Sequence, residues 1–388
     1  MPRFLTAGES HGPFLTAILE GFPAGLPLSE SDIDIQLRRR QKAYGSGGRM
    51  KIERDCVRLT GGVLNGHTTG APIAMQIENR DWVNWRERDI PPMTIPRPGH
   101  ADLTGAIKYG YRELRLALER ASARETAARV AVGAVGQRLL AEFGIAVGSY
   151  VVQIGGILAA ISDDLAYSDR FARAKENDVR CPDPTTAGAM CACIREATAA
   201  KDTLGGIFEI VALGLVPGLG SHVHWDRRLD ARLMAAVGSI QAVKGVEVGP
   251  AFENATRRGT QVHDEILVED GRLIRQTNRA GGLEGGITTG QPLVVRAAMK
   301  PISTTLSPMR SVDLTTGQPA DTRYERSDIC AVPRAAVVGE AMIAFVLAEA
   351  LLEKLGGDSL AEMRPRFEVL RRGALDEMEV DDVPWRFR

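Results

Sequence analysis

A thirteen-residue pattern occurs twice in this chain, and it limits the fold more than any single motif does. The segments "GGVLNGHTTGAPI" (61–73) and "GGLEGGITTGQPL" (281–293) agree at seven of thirteen positions, with Thr68, Thr69 and Gly70 set against Thr288, Thr289 and Gly290. Each is followed by a stretch that reads as a strand, "AMQIENRD" and "VVRAAMKP". A second pair, "ILEGFPAGLPLSESDIDIQL" (18–37) and "VALGLVPGLGSHVHWDRRLDARL" (211–233), reads in both copies as strand, Pro-Gly turn and helix. Gly-Thr-Gly-Pro turns can recur through turn chemistry alone. The second pair favours two related halves instead.

Each half also supplies a long helix. In the first, Ser122 and Glu125 have the spacing of a capping box, and apolar positions Val130, Ala134, Val135, Leu139 and Phe143 lead to a stop at Gly144. In the second, Pro333 suits a first helical turn and Gly356 a C-terminal stop. Two buried helices with Gly-rich antiparallel sheets around them predict an α+β fold, a layered sandwich rather than a doubly wound parallel sheet. One domain spans 1–388, with halves near 1–150 and 205–355, a peripheral segment at 155–205 and a charged tail at 360–388.

Composition narrows the function. A hydrophobic share of 44% supports a large core, and a formal net charge of −1 argues against holding nucleic acid by bulk electrostatics. Any anion site must be local. Five cysteines, without CxxC spacing, suit a reducing cytoplasm. "MPRFLTAGES" lacks the features of a signal peptide. The apolar run at 334–352 is interrupted by Glu340 and Glu349, which favours a buried core helix over a membrane span.

Candidate chemistry lies in several places. Free N–H groups at a helix starting at Ser122, flanked by Arg120 and Arg124, would bind a phosphate or carboxylate. "RRRQKAYGSGGRMKIE" gathers Arg38, Arg39, Arg40, Lys42, Arg49 and Lys51 around a glycine-rich turn, either as a solvated face or as a second anion site. Neither a P-loop nor a clean GxGxxG occurs, which disfavours a nucleotide enzyme of those classes. His222 and His224 have the spacing of one strand face but no matching ligand set, so no metal is predicted. His67 and His263 read as surface residues. His11 in "GESHG" and His100 in "RPGHAD" sit between small or rigid neighbours, suited to acid-base work in a cleft, with Glu9 placed to orient Ser10 and His11. "RSDICAVPRA" is a loose second-half counterpart of "RPGHAD", placing Asp328 ahead of the second helix as His100 stands ahead of the first.

Taken together, "GESHG", "RPGHAD", "RASARETAARVAVGA", "QAVKGVEVG", "NRAGG" with "GGITTGQP", "MKPIST" and "RSDICAVPRA" resemble the chorismate synthase family, in order, over residues 1 to 354. The resemblance implies conversion of 5-enolpyruvylshikimate-3-phosphate to chorismate and phosphate by 1,4-anti elimination. It also implies a reduced FMN cofactor with no net redox change, a β-α-β sandwich and a cytoplasmic homotetramer. Catalytic roles would fall to His11 (phosphate departure), His100 (reduced flavin near N1) and Asp328 (proton removal through flavin N5). Flavin contacts would be Arg120, Ala121, Ser122, Gln241, Ala242, Gly285, Lys300, Pro301, Ile302, Ser303, Thr304 and Arg326. Substrate contacts would be Ser10, Arg40, Arg49 and Arg124. Whether NADPH serves as an indirect reductant, and whether an external flavin reductase is needed, stays open. Ser46 stands where many members carry arginine, which leaves Arg40 and Arg49 to compensate. The competing readings are a flavin enzyme with net hydride transfer and a non-catalytic binding protein for phosphorylated ligands. Neither a nucleic-acid nor a membrane partner is expected.

Overall fold

Two antiparallel sheets with helices packed against them account for most of a computed structural model that describes residues 2–47, 52–325 and 327–387. The first half runs β1 (Arg3–Ala7), β2 (Phe14–Glu20), α1 (Glu30–Gln41), β3 (Val57–Gly61), a small hairpin of β4 (Val63–Leu64) and β5 (His67–Thr68), and β6 (Ile73–Glu78). Then come α2 (Asp102–Tyr109), α3 (Arg115–Ala121) and α4 (Thr126–Ala141). A middle stretch holds β7 (Ala146–Ile154), β8 (Ile157–Leu158), α5 (Tyr167–Lys175) and α6 (Pro184–Ala199). The second half follows with β9 (Gly206–Leu213), α7 (Leu229–Gly238), β10 (Val243–Val248), α8 (Ala251–Asn254) and a hairpin of β11 (Ile266–Glu269) and β12 (Arg272–Arg275). After it stand a small hairpin of β13 (Leu283–Glu284) and β14 (Ile287–Thr288), β15 (Leu293–Met299), a hairpin of β16 (Arg310–Asp313) and β17 (Gln318–Asp321), α9 (Val332–Leu355) and α10 (Leu360–Glu368).

The first sheet has the strand order β1-β2-β6-β3, and the second β10-β15-β9-β7 with β8 added at its edge. Matching β1 with β7, β2 with β9, β6 with β15 and β3 with β10 makes the two orders identical. Both end pairs carry a register shift, between Leu59 and Gly61 and between Val243 and Gly245. The repeated glycine segments fold alike as well. Thr68 is buried, donates its hydroxyl to Pro23 O (2.6 Å) and accepts from Leu26 N (3.0 Å). Thr288 donates to Val216 O (2.7 Å) and accepts from Leu219 N (2.8 Å). Gly25 and Gly218 adopt positive φ (82° and 92°) in these turns, a conformation that glycine enters without steric cost.

Alternation in β2 turns Leu15, Ala17 and Leu19 inward and Phe14 and Ile18 outward. The inner faces meet the helices: α4 packs on β1, β2 and β6 and also on β7, while α9 packs on β7 and β9. From α9, Phe345 reaches Phe4 of β1 edge-on at 4.8 Å. The two helices cross very closely, because an added Cβ at Gly133 would lie 2.3 Å from the Cβ of Ala341. Outside the second sheet α5 covers Tyr150, Val211 and Val294, whereas Leu5 (72% exposed), Phe14 and Ile18 leave an apolar outer face on the first.

Several expectations are corrected. A 3-10 turn (Ala123–Glu125) precedes α4, and Ser122 Oγ accepts from Arg124 N (3.3 Å), but Glu125 does not close a capping box. It is drawn instead to Thr6, Arg129 and Gln241. The last helical residue is Ala141, and Gly144, at φ 73°, closes the turn that stops the helix, as expected. Between His100 and α4 stand α2 and α3, so the positional match of "RPGHAD" with "RSDICAVPRA" does not hold. His222 and His224 lie in bends rather than on a strand, and His224 pairs with Asp226. The tail is partly folded, since α10 buries Leu360, Met363 and Phe367 on the core. As expected, α9 is a core helix, with 94% of its apolar window buried.

Candidate active site

The loop between β1 and β2 carries "GESHG", and its shape is set by α3. Ser10 donates N–H to Glu119 O (3.1 Å) and its hydroxyl to Ser122 Oγ (3.0 Å). His11 donates its backbone N–H to Glu119 Oε2 (2.7 Å), and its Nδ1 lies 2.8 Å from Oε1. Its ring rests on Trp85, with centroids 4.0 Å apart. Burial opposes ionisation of Glu119, but the contacts with His11 and the charge of Arg115 outweigh it and lower the carboxyl pKa. Glu119, not Glu9, therefore orients this loop.

His100 is held by its own motif. Asp102, at the start of α2, takes His100 Nδ1 at 2.5 Å and Arg97 Nε at 2.8 Å. Burial would raise the pKa of Asp102, yet hydrogen bonds from His100 and Arg97 bring it well below the carboxylate range. Arg97 also donates to Thr304 Oγ1 (2.9 Å), and Lys300 Nζ donates to Gly99 O (2.9 Å). Thr304 O in turn accepts from Ser327 Oγ (2.8 Å), next to Asp328.

Asp328 accepts from Gly47 N (2.7 Å) and from Arg334 of α9, which also donates to Ser46 Oγ. The Ser46 hydroxyl thus belongs to the shell around Asp328. Arg334 and Asp328 both act on the charge of Arg40. Desolvation lowers the Arg40 pKa to about 10, with Asp55 opposing the fall. Asp55 divides its oxygens between two arginines, Arg40 (3.0 Å) and Arg124 (2.6 Å). Arg124 further donates to Asn79 Oδ1 (2.7 Å). Its guanidinium therefore points into a buried network instead of flanking an open helix end.

Arg120 donates to Thr6 O (2.8 Å), Thr6 to Glu125, and Gln241 Nε2 to the other Glu125 oxygen (3.2 Å). Ala242, at φ 66°, accepts from Lys300 N (2.9 Å). One run of contacts thus joins His11 and Ser10 through Ser122, Arg124 and Asp55 to Arg40. A second joins Asp328 through Ser327, Thr304 and Arg97 to His100, Lys300 and Ala242. The charges of Asp328 and Arg334 act on Arg40 between them, and Gln241 and Arg120 meet through Glu125 and Thr6. Ala121 adjoins Ser122 at the end of α3, while Pro301, Ile302 and Ser303 join Lys300 to Thr304. Gly285 is not brought in: it lies in the β13–β14 turn, and Lys300 follows the opposite end of β15. Arg49 and Arg326 lie outside the described residues. A cleft of about 530 Å³ beside β11 and β12, lined by Arg257, His263 and Arg279, contains none of these groups.

Comparison with known proteins decides the family. The chorismate synthase profile matches residues 2–352. A chorismate synthase of Aquifex aeolicus is 54% identical over 383 residues, covering 94% of this chain and 96% of that protein. One from Rubrobacter xylanophilus is 54% identical over 387 residues, covering 97% and 99%. A crystal structure of chorismate synthase superposes with a TM-score of 0.79 at 48% identity, over 95% of this chain and 96% of that one. The chain belongs to the chorismate synthase family.

Within that family frame, the residues missed from sequence are the partners of the ones named. Asp102 stood in the quoted "RPGHAD" and Glu119 just before "RASARET", so both signals were present without a way to assign them. Asp55 and Trp85 carry no local signature. Arg39, from the same basic run as Arg40, turns away from the site to the buried Glu340.

Proposed function

We propose that this protein is a chorismate synthase, converting 5-enolpyruvylshikimate-3-phosphate to chorismate and phosphate with reduced FMN. The observation that carries the reading is that His11 is tied by contacts to the buried Arg124 and Arg40, while Asp328 and His100 are tied to the 300–304 turn and Asp328 acts by charge on that same Arg40. Allylic phosphate leaves readily only when its charge is met. Three of the five N–H donors of Arg40 are used inside the protein, on Thr126, Asp55 and Ala123, which leaves two for a phosphate. His11 supplies a proton from Nε2 to the departing oxygen, since Nδ1 is engaged by Glu119. Asp328, fixed by Gly47 and Arg334, stands as the proton acceptor of the second half, and Ser10 is a substrate contact.

The residues present suit FMN. Gln241 Oε1 is buried without a partner, an acceptor suited to a ring N–H, while Arg120 and Lys300 supply cationic donors for a phosphate. Arg120, Ala121, Ser122, Gln241, Ala242, Lys300 to Thr304 and Arg326 would hold it, with His100 facing the ring. Bound reduced FMN supplies electron density to the reacting carbons transiently and regains it.

The same proposal includes a β-α-β sandwich of two related halves, near 1–150 and 205–355, working in the cytoplasm as a homotetramer. The matched strand orders support the halves. About 20 Å of strand separates the Gly285 turn from Lys300, so a flavin contact at Gly285 would be made to the flavin of a neighbouring protomer. The uncovered face at Leu5, Phe14 and Ile18 suits such a neighbour.

An anaerobic assay with catalytic pre-reduced FMN tests the function. Many turnovers per flavin are expected, with a loss of about 10²-fold or more in His11→Ala and His100→Ala. Product limited to one per flavin would refute it.

A further inference from the structure

We propose that Glu119 is a positioning residue that fixes His11 in the tautomer protonated at Nδ1, so that Nε2 is the atom presented to the substrate phosphate. The inference rests on the function proposed above and deepens it. An ionised carboxylate only accepts, so the ring nitrogen 2.8 Å from Glu119 Oε1 must be the donor. The second carboxylate oxygen is pinned by the backbone N–H of His11 at 2.7 Å, which stops the group rotating away. Trp85 covers one ring face, and Arg115 lies over Trp85 at 5.7 Å. Glu119 and Arg115 of α3, and Arg88 over Trp85 at 6.0 Å, are the charged groups described around this ring. His100 and Asp102 show the same arrangement, but Arg97 shares that carboxylate, so His11 gives the cleaner test.

Glu119→Gln separates a structural role from a positioning one. An amide offers one acceptor and one donor where His11 offers two donors. With the amide oxygen on the backbone N–H, the NH₂ faces Nδ1 and drives the ring proton to Nε2. The primary readout is ¹⁵N NMR of histidine-labelled, flavin-free protein, with the His11 signal identified by its loss in His11→Gln. Wild type is expected to show Nδ1–H, Glu119→Gln to show Nε2–H, and Glu119→Asp to retain Nδ1–H.

In turnover, kcat should fall about 10²-fold in Glu119→Gln while KM changes less than about threefold. Unchanged ¹⁵N shifts in Glu119→Gln would overturn the inference. If Glu119→Gln fails to fold, Glu119→Asp decides, because loss of the Nδ1–H signal with the charge kept would equally refute it. Failure of wild type to turn over would instead strike the functional reading, and the NMR result would still decide the tautomer.

Discussion

Glu340 sits midway along α9 with no side-chain exposure, and replacing it with glutamine tests how the interior tolerates charge. Arg39 binds it through two nitrogens (2.6 and 2.8 Å), Arg180 at 3.0 Å and Ser149 at 2.6 Å. Burial opposes its ionisation, but the charges of Arg39 and Arg180 outweigh that and lower its pKa from 4.5. Glu340→Gln keeps the shape and leaves two guanidinium groups facing each other. Breaking one partner of a buried pair costs about 3–5 kcal/mol. The Arg39 side chain is 21% exposed and regains some water, while that of Arg180 is 7% exposed and does not, which places the cost near 3–4 kcal/mol. For 388 residues at about 2.1 cal/mol/K each, the unfolding entropy is about 0.8 kcal/mol/K, so Tm should fall by about 4–5 °C. Differential scanning calorimetry at neutral pH measures this. The sign with pH is fixed as well. A depressed carboxyl pKa stabilises above its unfolded value and loses that contribution on acidification through the folded one. The gap between wild type and variant should hold from pH 8 to about 5 and close below about 4.3. A Tm within 1 °C of wild type at neutral pH, or a gap that widens in acid, would refute the reasoning.

Two further substitutions probe the frame. Gly133→Ala would set a methyl 2.4 Å from the Cα of Ala341, so α4 and α9 must part, at about 1–3 kcal/mol or more in a urea titration. Gly188→Ala, in α6 with nothing within 4 Å, should gain up to about 1 kcal/mol, and equal effects at the two sites would contradict the close crossing. Thr288→Val strips partners from Val216 O and Leu219 N and should cost about 2–3 kcal/mol. Thr68→Val, with the matching bonds, should cost the same, and a difference above about 1 kcal/mol would deny the equivalence of the two turns.

Turn chemistry made much of the fold legible, because a glycine at positive φ and a threonine bonding two backbone groups leave little freedom in residue choice. Both long helices were readable from their apolar runs and stops. The start of α4 was not, since Glu125 obeys Arg129 and Thr6, partners set by tertiary packing. The basic run at 38–40 looked the same whether solvated or buried. Only the inward row Ile33, Leu37 and Arg40 on α1 shows that Arg40 faces inside. Candidate residues His11, His100, Arg40 and Asp328 were nameable from motifs, but Glu119 meets His11 across 108 positions of sequence, and Asp55 meets Arg124 across 69. Pattern reading does not span such distances.

The matched strand orders have a consequence for how this scaffold can change. Two copies of one topology closed on a shared interior amount to a symmetric pair joined by a tether, yet both loop histidines come from one copy and Lys300 and Asp328 from the other. Because each wall is encoded separately, a substitution alters one side of the chamber without being mirrored on the opposite side. A true two-fold pair could never vary its walls that way, since every change would appear twice.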